Sequence, residues 1–224
     1  MNHFIDSLKT AVKKHPVLRS EWLEKRKIEF PLEDLKLWLC QEYFVSIGFV
    51  DWFLIVASQT SDQKAKITLV QNIWEELGEG DLNETHVSIL IKFLDQLGIN
   101  HKSLVCLPET KKYLQTMKSI IETSFFHGLG ALGPANEYLL KLEYQTVSDA
   151  YTILKNNSNL PEGSFFQVNL DADEGHSKRM FDLILEVSDT PKKQSMVEEG
   201  NLMALDARKL FYEGLSNIET LMFK

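Results

Sequence analysis

Apolar residues recur at intervals of three and four along almost the whole chain, and strand-like alternation is scarce. This spacing places them on one face of a helix, so it predicts an all-α protein. Proline, glycine and helix-capping positions divide the pattern, and we expect about eight helices in a single domain over residues 1–224. The first four predicted helices are a short one that closes with residues 8–14, then 16–27, 31–58 and one from Ser61 to the glycines at 78–80. The last four are 81–97, a bent segment 108–155, 164–187 and 192–222, and a loop is expected at 156–163.

Two of the predicted breaks depend on local sequence. Asp81 and Glu84 have the spacing of a capping box, which predicts a helix start at Asp81. Gly128, Gly130 and the Gly133-Pro134 pair interrupt the segment 108–155, and we expect a bend there. The three glycines favour close helix packing, with an opened cavity as the alternative.

Composition narrows the class of protein. The chain of 224 residues has a formal net charge of -8 and is 44% hydrophobic and 25% charged, which is typical of a soluble globular protein. An acidic surface disfavours nucleic acid and anionic membranes as partners. The longest apolar stretch, 44–57, contains Asp51 and predicts a buried helix rather than a membrane span. Cys40 and Cys106 lack metal-ligand spacing and are expected to be buried, reduced thiols in a cytoplasmic protein.

Acidic residues and histidines at helix ends are the first candidates for chemistry. Glu76 lies at the end of one predicted helix and His86 in the first turn of the next, so a tight glycine link lets them converge. Glu79, seven residues before His86, would share its face only on an unbroken helix. Glu137 lies among apolar neighbours, where a carboxylate is costly unless it is paired or bound to metal.

A second group lies near the chain's last quarter. Asp173 and His176 are one helical turn apart, and Asn169 lies one turn before Asp173. Glutamates together with an Asp-x-x-His pair on several helices are typical of di-iron sites in bundles, and such ligands suit iron or manganese better than zinc. Each residue also has a simpler explanation, as a solvated acid or a helix-capping group; their joint occurrence favours the metal site.

The order of these segments resembles the haem-oxygenase-like superfamily. The similar segments are the aromatic stretch 38–47, the Glu-then-His segment 72–86, the Gly/Ala-rich 130–137 with its one Glu, and 165–176, which resembles a closing His-x-x-x-Asp-x-x-His motif. The resemblance covers roughly residues 10–220 and is strongest to the metal-binding branch, with the chlamydial death-domain-associating protein and the iron-dependent haem-oxygenase-like oxidases. Pyrroloquinoline quinone synthase (PqqC-like) and TenA are metal-free relatives. It implies a haem-oxygenase-like helical bundle.

The resemblance also implies a ligand set and a pocket. Two Fe(II) sites would be built from Glu76, His86, Glu137, Asp173 and His176, with Glu79 as the alternative to Glu76. Asn169 stands where the family has His, and a neutral amide is a weaker ligand, so one site is expected to be degenerate, absent or rebuilt with His127 or Asp51. Tyr43, Phe44, Trp52 and Tyr138 are expected to line a substrate cavity, with core packing as the alternative.

Three functions follow. The resemblance favours a non-haem iron oxidoreductase of the di-iron type that activates O₂ to oxidise a small organic substrate. A metal-free enzyme is the alternative, with acid–base catalysis by Glu137 and His176, or with Cys40 or Cys106 as a TenA-like nucleophile. The third is a non-catalytic interaction protein or homodimer, which would use the apolar residues of the last helix: Leu202, Leu205, Leu210, Phe211, Leu215 and Leu221.

Overall fold

Helices account for the regular structure of the chain. The computed structural model describes residues 3–156 and 158–222, without the side chains at 173, 174 and 219–222. This part contains ten α-helices and no β-strand, which confirms the all-α prediction. They are α1 (His3–Lys14), α2 (Glu21–Arg26), α3 (Leu32–Ser58), α4 (Gln63–Glu76), α5 (His86–Gln96), α6 (Pro108–Thr123), α7 (Phe125–Leu132), α8 (Leu139–Asn156), α9 (Ser164–Val187) and α10 (Pro191–Met222).

The predicted bent segment 108–155 is three helices, which raises the number above the eight expected. Ser124 adopts an extended backbone that ends α6, and its hydroxyl accepts a hydrogen bond from the backbone N–H of His127 at the start of α7. At the position of the predicted bend, a π-helical turn, Gly133–Tyr138, lies between α7 and α8. Such a turn shifts the helical register, and here it carries Glu137.

Helix α5 begins at His86 instead of Asp81. The Asp81 carboxylate accepts from the backbone N–H of Asn83 at 2.8 Å, so it closes a local turn and does not cap a helix. Thr85 is the N-cap instead, because its hydroxyl accepts from the N–H of Ser88 at 3.0 Å. The later start places His86 at the first position of α5.

The predicted helix 16–27 is also divided. Residues Pro16–Arg19 form a 3₁₀ turn, and Ser20 adopts a non-helical backbone and caps α2 with its hydroxyl. Five other predicted starts are confirmed within two residues, since the helices concerned begin at Leu32 (α3), Gln63 (α4), Pro108 (α6), Ser164 (α9) and Pro191 (α10).

Helix α3 packs against four other helices of the bundle. Among the described residues it is the one helix that is long and apolar enough, by length and composition alone, to cross a membrane. It packs against α4, α5, α6 and α7, and Trp38, Leu39 and Phe53 are fully buried. It also carries Glu42, which is buried against Arg208 of α10. These contacts identify α3 as a core helix, as predicted.

Glycines set the close contact between α7 and α10. A Cβ at Gly130 would lie 2.0 Å from the carbonyl oxygen of Val197, and one at Gly200 would lie 2.2 Å from that of His127. Both distances are far below van der Waals contact, so only glycine allows the two backbones this close. The contact fixes α7, and with it the π turn that carries Glu137.

The apolar residues of α10 are mostly used inside the chain. Leu205, Phe211 and Leu215 are fully buried, whereas Leu202 is exposed and Leu210 is partly buried against the core. The side chain of Leu221 lies outside the described residues. Intramolecular packing thus accounts for most of the surface considered for a homodimer, and the homodimer stays a prediction.

Candidate metal centre

Four of the five predicted ligands converge in the interior of the bundle. Glu76 is the last residue of α4, His86 is the first of α5, Glu137 lies in the π turn and His176 lies in α9. The short turn between α4 and α5 leaves the two helix ends close enough for Glu76 and His86 to be in contact. Asp173, one turn before His176 in α9, has a side chain outside the described residues.

The four side chains contact each other through the Nδ1 atoms of the two imidazoles. Nδ1 of His86 lies 3.0 Å from Oε2 of Glu76. Nδ1 of His176 lies 3.5 Å from Oε1 of Glu76 and 3.4 Å from Oε2 of Glu137. Glu76 therefore bridges the two histidines, whose rings are nearly parallel with centroids 6.4 Å apart. We call these four residues the Glu–His cluster.

Burial and charge make the cluster electrostatically coupled. His176 and Glu137 are almost completely buried, at 0% and 1% exposure. Burial alone would lower the pKa of His176, but the carboxylates of Glu137 and Glu76 outweigh it and raise the pKa to about 9. Without another cation in the site, protonated His176 is the group that balances the buried carboxylates.

The unpaired ring nitrogens test whether a metal ion fits. Nδ1 of His86 and Nδ1 of His176 are buried and make no aligned hydrogen bond, although carboxylate oxygens lie 3.0–3.5 Å away. Two ligand atoms at right angles around one ion, each about 2.1 Å from it, are about 3.0 Å apart. The separations between these nitrogens and the carboxylate oxygens are close to that distance. The donor set of two carboxylates and two imidazoles also suits iron or manganese.

The cluster is not a ready-made metal site. Within the described part of the chain, no group of three or more His, Cys, Asp or Glu side chains is arranged to hold a metal ion as it stands. The donors are of the right chemical type for an ion and lie 3.0–3.5 Å from one another, but they close on each other in pairs. Binding would therefore require the paired donors to separate around the ion and His176 to lose its proton.

Three polar residues that the sequence did not single out surround the cluster. Nε2 of His176 lies 3.0 Å from Oε2 of Glu75, and Arg179 donates to the same oxygen. The Nε of Arg179 donates to Oδ1 of Asn72 at 2.9 Å, and Nδ2 of Asn72 donates to Oε1 of Glu137 at 3.3 Å. Burial would raise the pKa of Glu75, but Arg179 and His176 outweigh it and lower that pKa. Both pairs, Asn72 with Glu75 and His176 with Arg179, are three residues apart on one helix, a spacing that could have identified them.

A small cavity adjoins the cluster. Its volume is about 20 Å³, room for one or two water molecules at roughly 10–15 Å³ each. It is lined by residues of α3, α8 and α9 together with Glu76 and His86: Val45, Ser46, Phe49, Leu140, Tyr144 and Asn169.

The four aromatic residues predicted to line a substrate cavity lie elsewhere. Tyr43 packs against Phe44 and His101. Trp52 packs edge-on against Tyr113, and Tyr138 lies against Phe181 at a surface depression. On α3, Val45, Ser46 and Phe49 face the cavity instead.

The remaining predicted ligands are dispersed. Glu79 and Asp51 are exposed, Glu79 on the turn after α4 at a φ of 53° and Asp51 on α3. His127 is buried, but its ring contacts Ser124 at 2.7 Å and Glu199 at 3.4 Å. Asn169 lines the cavity, while its Nδ2 donates to the carbonyl of Phe165 at 2.7 Å.

A second buried charged group lies behind the cavity. Arg208 donates to Glu42 and Glu143, and all three side chains are at most 1% exposed. Burial raises the pKa of Glu42 to about 7, although Arg208 acts to lower it. The hydroxyl of Tyr144, a residue of the cavity wall, donates to Glu42 at 3.5 Å.

The two cysteines are free and half-buried, and neither is an activated nucleophile. Burial raises the pKa of the Cys40 thiol to about 11 and also raises that of Cys106. At neutral pH both remain thiols, which disfavours a TenA-like nucleophilic mechanism.

Comparison with known proteins supports one family. Residues 36–209 match the model of a family described as iron-containing redox enzyme. A comparison with curated proteins finds no significant match.

Solved structures share the fold at low sequence identity. A CADD-like protein of unknown function from Nostoc punctiforme has a TM-score of 0.82 and 18% identity, with 96% of both chains covered. A protein with a heme oxygenase-like fold from Shewanella denitrificans has a TM-score of 0.78 and 14% identity over 98% of this chain and 93% of that one. A TenA homolog from Pseudomonas syringae has a TM-score of 0.72 and 13% identity over 95% and 91%. The fold is therefore the predicted haem-oxygenase-like bundle.

Proposed function

The chain belongs to the family of iron-containing redox enzymes, and we propose that it is a non-haem iron oxidoreductase whose ion is held by the Glu–His cluster. The observation that carries this proposal is the convergence of Glu76, His86, Glu137 and His176 from four separate elements, with two buried Nδ1 atoms that lack hydrogen bonds.

We propose one Fe(II) ion held by these four residues. Two carboxylates and two neutral imidazoles offset the charge of a divalent ion, whereas without metal the same carboxylates require a protonated His176. The second ion of a di-iron centre would need further ligands, from Asp173 or Asn169. A bound iron ion supplies one-electron chemistry and reaction with O₂.

The protein's own contribution is to bind the ion and exclude water. The cavity of about 20 Å³ matches the size of O₂ or water and is too small for an organic substrate. A small organic substrate would therefore have to displace lining side chains, of which Phe49 and Leu140 are the bulky apolar ones. The proposed partners are O₂ and such a substrate, and the two free thiols agree with a cytoplasmic location.

The metal-free alternative is favoured by one observation, the absence of a ready-made metal group in the described residues. In that case, protonated His176 and the buried Glu137 carboxylate, 3.4 Å apart, would act as an acid–base pair. A metal-free enzyme would show no dependence on iron, so the test below separates the two functions.

Oxygen consumption after anaerobic Fe(II) loading and desalting tests the proposal. We expect the unsubstituted chain to consume O₂ faster than the same concentration of free Fe(II), because the cluster holds iron beside a cavity that admits O₂. His86→Ala is expected to reduce this rate at least about tenfold, since a directly bound imidazole is lost.

The matched control is His101→Ala. His101 is also a partly buried histidine near an acid, 3.9 Å from Asp95, but it lies outside the cluster, so the rate should stay unchanged. Equal rates for His86→Ala and the unsubstituted chain would refute the proposed function.

A further inference from the structure

We infer that Arg179 and Glu75 are positioning residues of the metal centre: together they fix the His176 ring and the Glu137 carboxylate in the orientation that binds iron. The inference rests on the proposed function and extends it to residues outside the ligand set. It follows from a closed circuit of contacts that passes through both ligands.

The circuit has five members. It runs from Nδ1 of His176 to Glu137 at 3.4 Å, from Glu137 to Asn72 at 3.3 Å, and from Asn72 to Arg179 at 2.9 Å. Arg179 then contacts Glu75, and Glu75 returns to Nε2 of His176 at 3.0 Å. We call these five residues the polar ring. Every link except the first is a hydrogen bond, and the first is the side on which the ion would lie.

Glu75 fixes the histidine tautomer. A hydrogen bond from Nε2–H of His176 to the Glu75 carboxylate leaves the lone pair on Nδ1, the nitrogen that faces Glu76 and Glu137. A carboxylate behind a histidine ligand also raises the basicity of the ring and holds its orientation. Glu75 itself contacts His176 from the side opposite the other carboxylates, so it lies outside the proposed coordination.

Arg179 couples the two ligands because its guanidinium donates hydrogen bonds to two different acceptors. Its Nε binds Asn72, which in turn orients Glu137, and its NH2 group binds Glu75, which orients His176. A guanidinium holds two acceptors in a fixed plane, whereas the point charge of lysine does not. One side chain at the edge of the bundle, 25% exposed, therefore sets the geometry of two buried ligands.

The chain contains a natural control for helix-to-helix contact. The polar ring joins α4 to α9, and so does the exposed pair of Lys64 and Glu186, 2.6 Å apart at the other end of the same helices. If the polar ring only cross-linked the two helices, substitutions in the polar ring or in the Lys64–Glu186 pair would change stability without changing the metal affinity. A positioning role predicts that only substitutions in the polar ring change the metal affinity.

Cobalt(II) binding tests the inference, because the visible absorption of Co(II) reports coordination geometry without requiring enzyme activity. Affinity is measured by competition with a chromophoric chelator for the unsubstituted chain, Glu75→Gln, Arg179→Lys and the control Glu186→Gln. We expect Kd to rise about 10–100-fold in Glu75→Gln and Arg179→Lys, with an altered Co(II) spectrum, and to change less than about twofold in Glu186→Gln.

Two results would overturn the inference and are distinguishable. If the unsubstituted chain binds Co(II) and both ring variants retain its Kd and its spectrum, the positioning role is refuted while the metal centre stands. If the unsubstituted chain binds no Co(II) at all, the proposed function itself fails, and the inference fails with it.

Discussion

Replacing Glu137 by Gln is expected to leave the chain without stoichiometric iron. Gln has nearly the same shape, but it removes the negative charge from a side chain that is 1% exposed and only 3.4 Å from His176. A neutral amide is a weak ligand for a hard cation, so we expect affinity for Fe(II) to fall by more than about 100-fold, beyond the effect of an outer partner. Iron per chain is measured by mass spectrometry after anaerobic loading and desalting.

The control for this variant is Glu79→Gln. Glu79 is the alternative ligand considered from the sequence, but it is exposed on the turn after α4. Its replacement should leave the iron content unchanged. Full iron content in Glu137→Gln, or equal loss in both variants, would contradict the assignment of Glu137 as a ligand.

Replacing Arg208 by Met is expected to lower the free energy of unfolding by about 3–5 kcal/mol. Arg208 contacts Glu42 and Glu143, and without it two carboxyl groups stay buried at 0% exposure, where each must either remain charged without this cation or take up a proton. The surrounding aromatic rings, with Phe211 at 4.1 Å from the guanidinium carbon, offer no replacement for the lost charge. Urea denaturation at neutral pH, followed by circular dichroism, measures the change.

Two further variants define the cause of that loss. Lys64→Met breaks an exposed pair and should change the free energy of unfolding by at most about 1 kcal/mol. Adding Glu42→Gln and Glu143→Gln to Arg208→Met removes the uncompensated charges and should recover part of the stability. An Arg208→Met chain as stable as the unsubstituted one would refute the structural role of this buried group.

The helix pattern could be predicted from the sequence because burial imposes a helical period on most of the chain. The long helix α3 and the ends of α4 followed from proline, glycine and capping residues that act locally. The start of α5 could not be predicted, because Asp81 and Thr85 both have capping side chains. The positive φ values at residues 78–80 decide between them by placing Asp81 in a turn.

The site could be predicted in part for a similar reason. Glu76 and His86 are joined by a short turn, so the convergence of these two residues follows from local sequence. The helical spacing of His176 gives only the face of its helix on which it lies. The partners of His176 across the bundle could not be derived, because Glu75 lies 101 residues away and the contact depends on how α4 packs on α9. The small size of the cavity likewise depends on how side chains of different helices pack together, which hydrophobic periodicity does not determine.

The iron content of the unsubstituted chain decides whether the Glu–His cluster is a metal centre. After anaerobic loading with Fe(II), desalting and mass spectrometry, we expect about one tightly held iron ion per chain, bound by Glu76, His86, Glu137 and His176. No bound iron would contradict the metal centre and favour a metal-free acid–base pair. About two ions per chain would contradict the single-ion arrangement and require further ligands from Asp173 or Asn169.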